Sequence, residues 1–199
     1  MQVLEKSILK RIRGGGQGSL VTPNHFADLG NRAAIDQTLS RLTKEGLIKR
    51  VARGLYLYPE SHAVLGELLP SAEKIAQALA GKGQAKLQPA GAYAANLLGL
   101  SEQVPAKVVF LTDAPGQSIQ VGGTTVQLRR ATPRNMATAG RLSGLIIQAL
   151  RHLGKEHVTP ERIEHLRNSI PLAERQSLSK DLKFAPAWIQ TIFRNLAES

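Results

Sequence analysis

The chain has 199 residues, no cysteine and a formal net charge of +11 at pH 7, with a pI near 10.3. The lack of cysteine excludes disulfides and thiolate metal sites and fits a reducing cytosol. An apolar fraction of 42% supports folded cores, yet no apolar run approaches the roughly 20 residues needed to cross a bilayer. The basic balance favours a polyanion as partner, although anionic membranes or an acidic protein also attract it. We therefore expect a soluble, cytoplasmic protein.

The N-terminal segment predicts an amphipathic helix whose inward side chains are Val3, Leu4, Ile8 and Ile12. Residues 14–19 are rich in glycine, but they lack the Gly-Lys-Ser/Thr ending of a phosphate loop and follow a helix instead of a strand. We interpret them as a flexible connection. Thr22 and Pro23 then form a helix start, with a capping hydroxyl followed by proline at the first helical position. Gly30 ends that short helix.

A second helix is predicted from an Asn31 cap to about Glu45. Its apolar residues Ile35, Leu39 and Leu42 fall at i, i+4 and i+7, so they form one stripe toward a core. At about 100° per residue, the side chains on or beside the opposite face are Arg32, Ala33, Asp36, Gln37, Ser40, Arg41 and Lys44. Small residues mixed with glutamine, serine and arginine allow close approach to bases, where arginine prefers guanine and glutamine prefers adenine. Gly46 fits the left-handed position past the helix end.

A basic two-stranded wing follows this helix. Leu47, Ile48 and Val51 predict one strand, residues 55–58 predict its partner, and residues 52–54 (Ala-Arg-Gly) predict the turn. Helix, turn, helix and basic wing in this order predict a winged helix-turn-helix domain for double-stranded DNA over residues 1–62. The candidate DNA-binding residues are Asn31, Arg32, Gln37, Ser40, Arg41, Lys44, Lys49, Arg50 and Arg53. The alternative is a small protein-binding domain with a solvated basic face. The acid Asp36 on the presumed binding face is the weak point of the DNA interpretation, which requires Asp36 either to read a cytosine amino group or to lie outside the contact.

Residues 63–199 predict a mixed α/β domain, with a small sheet over about 86–130 and helices over 136–198. The whole chain is therefore expected to be α+β and mostly helical. Residues 60–70 lack a pattern and predict a connection, with or without a helical turn. A helix capped by Ser71 and ended by Gly81 and Gly83 is expected next, and another over about 90–98. The apolar run 107–112 predicts a strand covered on both faces, and residues 118–128 predict a hairpin that turns at Gly122-Gly123. Further helices are expected from Met136, over 160–166 and over 186–196.

The sequence predicts no enzyme, no cofactor and no metal site. His152, His157 and His165 have no compact metal-ligand spacing, and the single carboxylate of Asp113 at a strand end is typical of a turn. No serine or threonine lies in a nucleophile motif. A basic group after the hairpin has three interpretations: an extension of the DNA footprint, a docking face for an acidic partner, or scattered solvated cations. Its members are Arg129, Arg130, Arg134 and Arg141.

Two segments carry a resemblance to a known family. Residues 46–59 (GLIKRVARGLYLYP) resemble the wing of AbiEi-type antitoxins from bacterial type IV toxin–antitoxin systems. Residues 88–113 (QPAGAYAANLLGLSEQVPAKVVFLTD) are similar to the part of those proteins in which a helix ending in Gly-Leu leads through proline into a strand. The resemblance covers most of the chain.

The resemblance implies an autorepressor that binds inverted repeats in its own promoter and associates with the nucleoid when DNA-bound. It further implies that the C-terminal region opposes a nucleotidyltransferase-type toxin, generally without a stable complex. On this basis the base-reading residues would be Arg32, Gln37, Ser40 and Arg41, and the backbone contacts would be Lys49, Arg50 and Arg53. The alternative function is a stand-alone winged-helix regulator with a ligand-sensing C-terminal domain.

Overall fold

The computed structural model describes residues 2–62, 66–67, 69–81 and 85–198. The fold is α+β and mostly helical, as the sequence predicts. The chain divides into two compact units: Met1–Gln84 with Ile119–Val126, and Ala85–Ser118 with Gln127–Ser199. Within the described residues, no helix has the length and apolar character required to span a bilayer.

The first unit begins with helix α1, Gln2–Gly14. Ile8 and Ile12 of this helix are buried in the core of the unit, as predicted. The prediction that Val3 faces inward is wrong, because its side chain is 79% exposed. At about 100° per residue Val3 lies roughly 140° around the helix from Ile8, so the two side chains cannot share a face.

A short 3-10 helix, Pro23–Phe26, and a longer α-helix, α2, Arg32–Lys44, continue the unit. The side-chain oxygen of Asn31 accepts a hydrogen bond from the Ala34 N–H at 2.9 Å, which confirms the predicted cap. Burial of the predicted apolar stripe is confirmed too, since Ile35, Leu39 and Leu42 are at most 1% exposed. Gly46 has φ +73°, the left-handed geometry expected just past the helix end.

A three-stranded antiparallel sheet flanks these helices. Its strands are β1 (Leu20–Val21), β2 (Lys49–Ala52) and β3 (Leu55–Leu57), in the order β1-β3-β2. The first wing strand starts at Lys49, two residues later than predicted, and Leu47 is 36% exposed. Ala52 pairs with Leu55, so the turn between the strands consists of residues 53–54.

The prediction that residues 60–70 form only a connection, with or without a helical turn, is wrong. Strands β4 (Ser61–His62) and β5 (Gly66–Glu67) pair antiparallel in this segment. Helix α3, Ala72–Ala80, follows, and the Ser71 hydroxyl accepts a hydrogen bond from the Lys74 N–H at 3.3 Å, the predicted cap. Gly83, also expected to end this helix, lies outside the described residues.

The second unit contains most of a four-stranded sheet in the order β6-β7-β9-β8. The strands are β6 (Leu87–Ala90), β7 (Lys107–Thr112), β8 (Gln117–Val121) and β9 (Thr124–Arg130). Strand β7 confirms the predicted strand over residues 107–112, and β8 and β9 confirm the predicted hairpin that turns at Gly122-Gly123. Strand β6 carries Pro89, which a sheet tolerates at its edge because proline cannot donate a ladder hydrogen bond. Helix α4, Gly91–Leu97, follows directly.

Helices form the rest of the second unit. They are α5 (Pro133–Met136), α6 (Leu142–Leu153), α7 (Pro160–Ser169), α8 (Leu172–Ser177) and α9 (Ala187–Ala197), with 3-10 turns at Lys155–His157 and Leu178–Phe184. The core of the unit joins Ala94 of α4, Ile146 and Leu150 of α6, and Phe193 of α9, all of which are fully buried. The sequence predicts α6, α7 and α9 but not α8.

Candidate nucleic-acid interface

One side of α2 is open to solvent. The exposed residues at i, i+4, i+7 and i+11 are Ala33, Gln37, Ser40 and Lys44, and we call them the α2 stripe. They lie opposite the buried apolar residues of the same helix, so the predicted division of α2 into two faces is confirmed. The stripe contains no carboxylate, and its small members leave room for close approach to another surface.

The start of α2 is held by polar contacts. The Arg32 Nε donates to Asp36 Oδ2 at 2.8 Å, and Arg32 Nη1 donates to Asn24 Oδ1 at 3.2 Å. The ion pair between Arg32 and Asp36 neutralises Asp36, the acid beside the presumed binding face. The side chains of Arg32 and Asp36 remain 62% and 46% exposed, and an exposed pair of this type is worth about 0.2–1 kcal/mol. Arg32 can therefore change partners at little cost.

Arg41 makes a different kind of contact. Its Nη2 donates to Glu5 Oε2, so the guanidinium joins α2 to α1. The side chains of Arg41 and Glu5 are only 35% and 25% exposed, and the Arg41 Nε is buried without a hydrogen-bond partner. Arg41 lies about 70° around the helix from the centre of the α2 stripe at 100° per residue. The structure thus directs this side chain toward α1.

The wing, which follows α2 along the chain, presents three basic side chains. Lys49 and Arg50 are exposed on β2, which bulges between Arg50 and Ala52, and Arg53 is exposed in the following turn. Gly54 completes that turn with φ +73°, a conformation that glycine adopts without steric cost. Among the described residues, neither Arg50 nor Arg53 has an ion-pair partner.

Internal ion pairs remove much of the negative charge of the first unit. Arg11 forms a two-fold hydrogen bond with the Asp28 carboxylate at 2.6 and 2.7 Å. The hydrogen bond to Asp28 and, secondarily, the Asp28 charge raise the pKa of Arg11, although desolvation opposes them. Arg32 and Arg41 neutralise two further acids, as described above. Three carboxylates of the first unit are thus bonded to arginines outside the wing.

The sequence matches a known family over most of its length. The profile described as "Family of unknown function (DUF6088)" matches residues 7–178. The chain belongs to the DUF6088 family. The matched region includes α2, the wing and the basic group after the hairpin. No curated protein matches the chain. The description of DUF6088 gives no activity, so the function has to be inferred from the geometry of the surface.

The basic group of this DUF6088 protein separates into distinct environments. Arg141 Nη1 donates to Asp181 Oδ1 at 2.7 Å, and the Ser143 hydroxyl donates to the other oxygen of the same buried carboxylate. Arg141 therefore stabilises the second unit. Arg129, Arg130 and Arg134 are all exposed, and Arg129 and Arg130 also border a cavity.

The other titratable residues considered in the sequence have local contacts. The Asp113 carboxylate accepts a hydrogen bond from the Lys86 N–H at 2.9 Å, and His165 Nε2 lies 3.0 Å from the Leu98 carbonyl oxygen. A hydrogen bond from the Thr159 hydroxyl lowers the pKa of Glu161, aided by its own backbone N–H and opposed by desolvation. Within the described part of this DUF6088 chain, no group of three or more His, Asp and Glu could hold a metal ion.

Proposed function

We propose that the first unit is a winged helix-turn-helix domain that binds double-stranded DNA, and that the protein represses its own promoter. The observation that carries this proposal is the solvent-exposed α2 stripe on a helix that the basic wing follows directly along the chain. A helix with side chains is about 10–12 Å wide, and the major groove of B-DNA is about 12 Å wide. The α2 stripe has the hydrogen-bonding and small side chains needed to approach base edges.

Different residues take different parts in this proposal. Gln37 is suited to adenine, which it can bind with both an acceptor and a donor, and Ser40 can bond to several base edges. Lys44, Lys49, Arg50 and Arg53 contact phosphates, which fix the register without reading the sequence. Asn31 uses its side-chain oxygen as the cap of α2, and its amide nitrogen can donate to a phosphate.

Arg32 and Arg41 differ in whether their guanidinium groups can turn to DNA. Arg32 can leave its exposed contact with Asp36 for a guanine or a phosphate. Arg41 is assigned to packing instead of base reading, because its guanidinium is bound to Glu5 in a half-buried position. We therefore revise the expected base-reading set to Arg32, Gln37 and Ser40.

The antitoxin role is a further part of the proposal, and it rests on the resemblance to AbiEi-type antitoxins. In that role the protein opposes a nucleotidyltransferase-type toxin in a bacterial cytoplasm. Co-expression with the product of a neighbouring nucleotidyltransferase-like gene tests it: growth should be restored by the parent protein. Growth arrest by the toxin that persists at full antitoxin expression would refute the role while leaving DNA binding intact.

DNA binding is tested by fluorescence anisotropy of the full chain on its own upstream region and on a scrambled duplex of equal composition. We expect the parent to prefer the native duplex and Gln37→Ala to lose about 1–3 kcal/mol of that preference. Gln77→Ala is the matched control, because Gln77 is an exposed helical glutamine of the same unit that lies on α3. Equal binding of native and scrambled duplexes by the parent, or equal behaviour of the two variants, refutes the assignment.

A further inference from the structure

A cavity of about 560 Å³ lies within the second unit. Its charged and amide-bearing lining residues are Arg129, Arg130, Asn135, Gln148, Arg151 and His152. Among the residues that the structure describes, no aspartate or glutamate lines it. The volume lies within the range of about 300–1,000 Å³ that is usual for small-molecule sites. Only Arg129 and Arg130 of this polar set stand out in the sequence, since the other members come from two further elements.

The fold brings these elements together at the ends of two neighbouring strands. The Ala131 N–H donates to the Thr112 carbonyl at 2.9 Å, which links the chain leaving β9 to the end of β7. Helix α6 contributes Gln148, Arg151 and His152, whose i, i+3 and i+4 spacing places them on one side of the helix. The lining is therefore built on regular elements, which hold side chains more firmly than loops do.

The arginines of the cavity lack the carboxylate partners that other arginines of this protein have. Arg151 Nη1 donates to the neutral Asn135 Oδ1 at 3.2 Å. In the described parts of the chain, no acid forms an ion pair with Arg129, Arg130 or Arg151. Like charges gathered in one concavity repel each other, so a bound anion would stabilise this arrangement.

Gln148 supplies a second and independent observation. Its side chain lines the cavity and the residue is only 8% exposed. Its amide has no hydrogen-bond partner among the described residues. Neither amide atom of Gln148 is among the fully buried, unpartnered side-chain atoms of the described residues, so the amide reaches the cavity, where a ligand can hydrogen-bond to it.

We propose that this cavity binds a small phosphorylated molecule. The planar fork of arginine matches two oxygens of a phosphate at once, and the Gln148 amide can donate to a third oxygen or to the body of the ligand. The cavity is open to solvent, and its exposed arginines can contact a compact anion from more than one side. The proposal does not depend on DNA binding by the first unit, but it gives the protein a means of sensing a metabolite.

Isothermal titration calorimetry of the full chain with sodium pyrophosphate, at constant ionic strength, tests the proposal. We expect saturable one-site binding, and Arg151→Ala should weaken it by about 10- to 100-fold, the loss expected for a hydrogen bond to a charged group. Arg134→Ala is the matched control, because it removes the same charge from an exposed site outside the cavity. That control should bind pyrophosphate within about two-fold of the parent.

Further variants separate the possible causes of a loss. Arg151→Lys keeps the charge but removes the fork, so it should still bind several-fold more weakly than the parent. Arg53→Ala, in the wing of the first unit, should bind pyrophosphate as the parent does, which distinguishes this site from the DNA surface. Absence of saturable binding, or equal losses in Arg134→Ala and Arg151→Ala, overturns the proposal. Loss of duplex affinity in Arg151→Ala with unchanged pyrophosphate affinity also overturns it, since the arginine would then belong to a DNA footprint.

Discussion

Replacing Arg41 with alanine separates a structural role of this residue from a DNA-reading role. In the structure the Arg41 guanidinium is bonded to the Glu5 carboxylate, and this contact joins α2 to α1. Truncation leaves Glu5, whose side chain is 25% exposed, without its cation. We therefore expect Arg41→Ala to destabilise the first unit before it affects any choice between DNA sequences.

The expected size of the loss follows from the exposure of the pair. Exposed ion pairs contribute about 0.2–1 kcal/mol, and removing one partner of a fully buried pair costs about 3–5 kcal/mol. Arg41 and Glu5 are 35% and 25% exposed, so the free energy of unfolding should fall by an intermediate amount of about 1–3 kcal/mol. For a chain of this length, each kcal/mol lowers the Tm by about 2–4 °C.

The measurement is a double-mutant cycle in thermal and urea unfolding with Glu5→Ala, Arg41→Ala and the double variant. A coupling free energy of about 1–2 kcal/mol is expected between the two sites. Arg32→Ala is the control, because its pair with Asp36 is exposed and should contribute less than about 1 kcal/mol. If Arg41→Ala unfolds like the parent but loses its preference for the native duplex, Arg41 reads bases and our assignment to packing is wrong.

Three other changes give separate tests. Replacing both Arg50 and Arg53 with alanine should reduce the slope of log K against log salt by about 2, since each phosphate contact contributes about 0.9; an unchanged slope places both side chains off the DNA. Leu39→Ala should lower the free energy of unfolding in urea by about 2–5 kcal/mol, because Leu39 is fully buried; a smaller loss would mean that the core collapses around the site. Thr159→Ala should return the lowered pKa of Glu161 toward its usual 4.5 in an NMR titration, whereas Thr159→Ser should not. The Glu161 contribution to stability is full above pH 4.5 and declines as pH falls through the folded pKa, so the two variants should differ least in strong acid.

Periodicity is the reason why α2 could be described from the sequence. Its buried and exposed residues alternate with the 3.6-residue repeat, and its ends have an Asn31 cap and a Gly46 stop that act within a few residues. The apolar strand over 107–112 is equally local, since six consecutive residues define it. Features of this kind depend on near neighbours along the chain.

Features that depend on distant residues could not be predicted. The Arg41–Glu5 contact joins residues 36 apart, and the Arg141–Asp181 contact joins residues 40 apart. Strand β1 has two residues, too few to show an alternating pattern. The basic cavity requires the ends of β7 and β9 to meet α6, so its residues other than Arg129 and Arg130 appear in the sequence as unrelated polar positions.

The positions of the two cores along the chain have a consequence for biosynthesis. The apolar cluster of the first unit consists of residues between Leu4 and Tyr58, so all of its side chains have been synthesised once the chain has passed Tyr58. The second unit includes Ile189, Phe193 and Leu196, all fully buried. Since domains generally fold as units in the order of their synthesis, a nascent chain can complete the first unit while the core of the second unit still lacks α9. Ribosomal stalling in that interval would leave an apolar surface open to aggregation and to proteases.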